Sequence, residues 1–196
     1  FGSADLNPSD NPNYENLLSG YVWGNSNRWG IDLNYSFMST SSQFVSDYTE
    51  SSYIQNPSSS FQSTVNEILQ LYASVSLLNF SEVAETGNAT GHIRFGTTTN
   101  PPDQAYAWYP YVDFAKSGDI WMESADNHYN DSTKLMDGTY WNAAITHEIG
   151  HSLGLARPHD AETYGSTTYG TTVATGAEVS TCLLISLRCN CMAWVS

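Results

Sequence analysis

The run His147-Glu148-Ile149-Gly150-His151-Ser152-Leu153-Gly154-Leu155 constrains this chain more than any other stretch. On a helix, His147 and His151 lie on one face, about one turn apart. Two imidazoles so placed can hold one zinc ion, and Glu148 beside them can serve as a general base. Gly154 lets the helix stop and the chain turn. The flanking residues agree: Trp141, Ala144, Ile145 and Ile149 give a helix over 141–153 an apolar face, with the histidines near its edge.

The rest of the chain supplies a scaffold for such a helix. Ile31, Leu33, Tyr35 and Phe37 alternate with polar residues, the pattern of a half-buried strand. A Ser-rich stretch over 39–60 reads as surface loop with room for a short helix. Phe61, Val65, Ile68, Leu69, Tyr72 and Val75 then recur at helical spacing, an apolar stripe that should pack on a sheet. Short strands are expected over 80–83, 92–95, 105–109 and 118–122, separated by loops containing Gly, Pro or Asn. One strand, one helix, several strands and a motif-bearing helix predict an α+β fold, a mixed sheet backed by two helices. Residues 1–19 are polar, with Asn7-Pro8 and Asn11-Pro12, and read as a loose arm; 20–196 read as a single domain. At 196 residues the chain is long enough for a core that buries about 70% of its extended surface.

Charge excludes two classes of partner. Six Lys plus Arg stand against twenty Asp plus Glu, a formal charge of −14, so neither nucleic acid nor an anionic membrane surface finds the cations it needs. No apolar run is long enough to span a bilayer. The abundance of Tyr, Ser, Thr, Asn and Trp with few Lys suits a secreted, extracellular protein, with a monomer as the expected state. No Ser, Cys or Asp nucleophile lies in a recognisable catalytic setting.

The wording HEIGHSLGL resembles the serralysin branch of the metzincins, zinc metalloendopeptidases. The segments LLSGYVWGN, IDLNYSFM, HIRFGTTT, AYAWYP and GDIWM follow the same family's landmarks in order, so the resemblance covers roughly residues 17–156. It implies a zincin-like catalytic domain with a twisted five-stranded sheet and two long helices. His147 and His151 become metal ligands, and Glu148 becomes the base that takes a proton from water and passes it to the leaving amine. Ala105, Tyr106, Ala107 and Trp108 become an antiparallel edge strand that binds substrate. An unpaired strand edge accepts an extended peptide as one more strand, so peptide or protein substrates are implied.

The chain departs from that family in its last forty residues. The family's third histidine ligand falls at position 157, where this chain has Arg157. A guanidinium stays protonated, offers no lone pair and repels a dication. Losing one ligand of a zinc site costs about 3–4 kcal/mol, if the total is shared evenly. His159 is the first substitute, although residues two apart in an extended segment are about 6–7 Å apart and the path would have to slide. Asp160, Cys189 and Cys191 are further candidates. Met192 stands at a distance suited to the methionine turn that metzincins place beneath the metal, and Trp194 stands where serralysins have a tyrosine. The tail over 176–196 is atypical and holds all three cysteines, Cys182, Cys189 and Cys191. Serralysins also carry a calcium-binding module of Gly- and Asp-rich repeats. The chain shows no such repeat, so zinc is the predicted cofactor and calcium is not; Asp103, Asp113 and Asp119 read as loop and cap groups. Arg157 and Trp194 together support an alternative, a catalytically impaired homologue that binds peptides without cutting them. His92 and His128 read as surface or sheet histidines.

Overall fold

A computed structural model describes residues 3–5, 19–24, 31–45, 48–86, 89–100, 104–111, 113–126, 128–156, 162–164 and 167–169. Its centre is a mixed sheet formed by β3 (Asp32–Phe37), β4 (Ile54–Gln55), β5 (Asn79–Glu82), β6 (Ile93–Thr98), β7 (Ala105–Ala107) and β8 (Asp119–Glu123). The order is β5-β3-β6-β8-β7. Strands β5, β3, β6 and β8 run parallel and β7 runs antiparallel to β8. The short β4 pairs antiparallel with Thr97 and Thr98, beyond the point where β3 stops pairing with β6 at Phe37 and Phe95. The expected five strands are therefore joined by a sixth, which fills the stretch of edge that the shorter β3 leaves open.

Two helices cover one face. α1 (Ser59–Val75) starts where the Ser58 hydroxyl accepts the Phe61 N–H, 3.1 Å away. α2 (Tyr140–Ser152) starts where Thr139 accepts the Asn142 N–H at 3.3 Å. Phe61, Val65, Ile68, Leu69 and Tyr72 of α1 and Ile145 and Ile149 of α2 meet Leu33, Tyr35, Ile93, Phe95, Ile120 and Met122 of the sheet in one core. Tyr72 also donates from its hydroxyl to the Thr146 carbonyl at 2.9 Å, which ties the two helices together inside that core.

The opposite face is covered as well. Phe44, Val45 and Tyr48 fold over Met38, Trp121 and Tyr106, so the Ser-rich stretch is a lid on the sheet rather than free loop. Within it Glu50–Tyr53 forms one turn of 3₁₀ helix that leads into β4. This cover explains two differences from the alternation pattern. Ser36 is fully buried, donating to Glu85 Oε1 and accepting the Gly91 N–H. β6 is buried at every position, as a central parallel strand with both faces covered should be.

Asp119 is likewise not a loop or cap group. It opens β8, is 1% exposed, accepts the Tyr48 hydroxyl at 2.6 Å and lies 3.5 Å from Arg94 Nη1. Asp113, in contrast, is exposed at a positive φ of 53°, as a turn residue, and Asp103 lies outside the described residues.

Outside the main sheet, β1 (Ser3–Asp5) pairs antiparallel with β2 (Tyr21–Trp23), so the expected loose arm contains a strand. β9 (Glu162–Tyr164) and β10 (Thr167–Tyr169) form a second two-stranded pair, which no alternation in the sequence had marked.

Candidate active site

α2 carries both histidines in its last turn and a half. His147 is exposed, whereas Glu148 and His151 are 5% and 7% exposed. The two imidazole rings stand 4.3 Å apart at 84°, and their Nε2 atoms meet at 2.8 Å. The other nitrogen of His151 is fixed: Nδ1 lies 2.7 Å from the Leu155 carbonyl, which can only accept, so Nδ1 carries the proton and Nε2 offers a lone pair. That is the tautomer a metal ligand needs, held by the kind of outer bond that orients metal-binding histidines. Two nitrogens at about 2.05 Å from a tetrahedral zinc would be about 3.3 Å apart, so a small opening of the pair fits the ion. Two nitrogens make half of such a donor set, and among the described residues no group of three His, Cys, Asp or Glu gathers at one point.

The way α2 ends creates this geometry. Gly154 has φ of +99°, and the Gly154 and Leu155 N–H groups reach back to the His151 and Gly150 carbonyls, both at 2.9 Å. This two-bond ending needs a left-handed residue at position 154, which glycine supplies without strain. It folds the chain back so that the Leu155 carbonyl arrives at His151. A side chain at position 154 would also collide with the Tyr21 carbonyl oxygen.

Beside the pair, Tyr109 meets His151 edge to face, with centroids 5.5 Å apart at 90°. Tyr109 follows β7, the terminal strand of the sheet. β7 pairs with β8 through Ala105, Tyr106 and Ala107, opposite Met122, Trp121 and Ile120, and the Trp108 N–H extends the ladder to the Asp119 carbonyl at 2.9 Å. Ala105 and Ala107 turn toward the helical core, where α2 packs against β7. Tyr106 turns to the other face, edge-on to Trp108 at 6.3 Å. Among the described residues no strand pairs with the outer edge of β7. Beneath α2, Tyr129 is fully buried between Phe61 and Trp141; burial, with the Glu148 carboxylate next, raises its hydroxyl well above the usual range.

The structure thus brings together His147, Glu148 and His151 on one helix and sets the 105–108 edge beside that helix. Arg157, His159, Asp160, Met192, Trp194 and the three cysteines lie outside the described residues. His92 accepts the Asn34 N–H at 2.9 Å within the sheet, and His128 stacks on Trp141 at 3.9 Å, both apart from the pair. Spacing gave no hint of Tyr109, nor of Ser19 and Trp23, which bond to the end of α2. Their roles come from contacts between distant segments.

A model of the matrixin peptidase family matches residues 44–180. The chain belongs to this family. It is 32% identical over 150 residues to the metallopeptidase AprA of Pseudomonas marginalis, a match covering 71% of this chain and 30% of that protein. Serralysin B of Dickeya chrysanthemi is 33% identical over 148 residues, covering 70% and 28%. Serralysin of Proteus mirabilis is 36% identical over 105 residues, covering 47% and 21%. The chain therefore spans under a third of the length of these relatives, and the part it spans is a serralysin-type metzincin catalytic domain. The mixed sheet and paired helices match the α+β architecture that the resemblance implied. No described helix is long and apolar enough to cross a membrane.

Proposed function

We propose that this domain is a secreted zinc metalloendopeptidase unit that hydrolyses peptide bonds in extended segments of proteins. The observation that carries the reading is the meeting of His147 and His151 at their Nε2 atoms, with His151 locked by Leu155 as a lone-pair donor. In this reading His147 and His151 hold the ion and His159 completes the set. Zinc held there supplies Lewis acidity to the scissile carbonyl and lowers the pKa of a water. Glu148 takes the proton of the attacking water and delivers it to the departing amine. Its shielded position on α2 keeps competing solvent away from that transfer. The outer edge of β7 pairs with substrate backbone over Ala105–Trp108. Tyr106 and Trp108 supply aromatic surface on one face, and the small Ala105 and Ala107 on the other let β7 pack close to α2.

Replacing Glu148 by Gln keeps the shape and removes the base. Casein cleavage should fall by at least about a hundredfold with zinc content unchanged. Cleavage at the parental rate would remove Glu148 from the mechanism.

Arg157 favours a second reading, a homologue with too few ligands that binds peptides along β7 without cutting them. The Arg157→His variant separates the two. Activity that appears only in the variant supports the binding-only reading for the natural chain, whereas activity in both supports His159 as third ligand.

A further inference from the structure

The bonds that hold His151 in its tautomer do not end at Leu155. The carbonyls that close a helix have no partner within it and must find one elsewhere. At the end of α2, the Ser152 carbonyl and the Gly154 carbonyl just beyond it are taken by a segment far away in sequence. Trp23 Nε1 donates to the Ser152 carbonyl at 2.8 Å, and the Ser19 N–H and hydroxyl both donate to the Gly154 carbonyl at 2.9 Å. Ser19 and Trp23 are themselves buried, at 1% and 7% exposure, so these bonds are shielded from water. Between them, Tyr21 presses its backbone oxygen against Gly154 and its ring against Tyr111, with centroids 4.4 Å apart. Tyr21 also stacks toward Tyr109 at 6.4 Å, and Tyr109 is the ring that stands edge-on to His151.

We infer that the segment Ser19–Trp23 is a positioning clamp for His151. It grips the turn that presents the Leu155 carbonyl on one side of the imidazole and backs the Tyr109 ring on the other. Ser19 and Trp23 touch neither metal nor substrate in this account; they act through Ser152, Gly154 and Leu155. The inference rests on the metal-site reading given above for its consequence, though not for its geometry.

The test uses the full chain with Trp23→Phe, which keeps a ring and removes the N–H, and separately Ser19→Ala, which removes only the hydroxyl. An Ile68→Val variant on the far helix serves as the control, since it trims the same core away from the turn. The first readout is the tautomer of His151 in metal-free protein, from nitrogen-15 NMR at about pH 8, where an ordinary imidazole is neutral. Wild type and Ile68→Val should show Nδ1–H alone, and the two clamp variants should show a mixture with Nε2–H. The second readout is the zinc dissociation constant. It should rise about tenfold in the clamp variants, the lower end of what outer-shell losses cost, and stay within about twofold in the control. An unchanged tautomer in both clamp variants overturns the inference, as does an affinity loss that Ile68→Val reproduces. Should the wild-type chain bind no zinc, the proposed function fails, while the tautomer still decides the clamp.

Discussion

His151 shows how much a single side chain depends on its backbone. Its Nδ1 meets Leu155 because Gly154 adopts a φ of +99°, and Gly154 sits against Tyr21 because it lacks a side chain. Gly154→Ala should therefore do two kinds of damage, a strained left-handed alanine and a collision with the Tyr21 carbonyl. The expected loss is about 2–4 kcal/mol in urea unfolding, with zinc affinity falling in parallel. A variant as stable as wild type would mean that the turn relaxes without cost. The histidines, the glutamate and this glycine were all legible in the sequence, because helical spacing and left-handed backbone are local properties. Tyr109, Ser19 and Trp23 were not, because nothing local marks a hydrogen bond that joins positions 23 and 152.

Among the elements, β8 and the cover over the outer sheet face hold the other charged centre of the molecule. Arg94 binds Glu85 in a fork, Nε to Oε1 at 2.8 Å and Nη2 to Oε2 at 3.0 Å, and reaches Asp119 only at 3.5 Å. One guanidinium thus faces two carboxylates. Burial would raise Glu85, but bonds from Arg94, Ser42 and Ser36 outweigh it and hold its carboxyl below the ordinary range. Burial dominates at Asp119, which is pushed up to about 7 against the opposing pull of Arg94 and Tyr48. The folded protein then holds a proton that the unfolded chain releases above an ordinary value of 3.8. Its contribution to stability is complete below that value and is lost as pH rises through about 7. Glu85 acts in the opposite sense but only at lower pH, whereas burial lowers His92 from its ordinary 6.5 and opposes Asp119 within this window, so the Asp119 slope is read from the difference between wild type and a variant that lacks the carboxyl. Thermal unfolding between about pH 5 and 7 should show wild type losing stability with rising pH relative to Asp119→Asn. Equal slopes in the two proteins would place the proton elsewhere.

The sequence pattern foresaw both helices and five strands of the main sheet to within a few residues, but not the two outlying pairs β1–β2 and β9–β10. It missed the lid over the outer face, because a Ser-rich stretch has no period, and so it misread Asp119, which bonds to Tyr48 of that lid. β4 was equally hidden, since two residues carry no alternation.

For the whole molecule, the architecture serves one purpose consistently. A sheet buried on both faces gives α2 a rigid floor, Tyr72 ties the second helix to it, and β2 fastens its end. The outer edge of β7, which no described strand pairs, runs beside α2, so in the proposed reading a peptide aligned there would be delivered to the histidines. The formal charge of −14 keeps such a domain soluble and favours capture of cations. Because zinc would bind the folded chain and not the unfolded one, the midpoint of thermal unfolding should rise with zinc concentration, by an amount worth about 2.7 kcal/mol at a hundredfold excess over the dissociation constant. Whether the two histidines hold a metal is decided by zinc per chain after dialysis into metal-free buffer, measured by elemental analysis on wild type beside His151→Ala. Wild type should keep close to one zinc per chain and the variant close to none; a wild-type chain that loses its zinc on dialysis would rule out a zinc site built on His147 and His151.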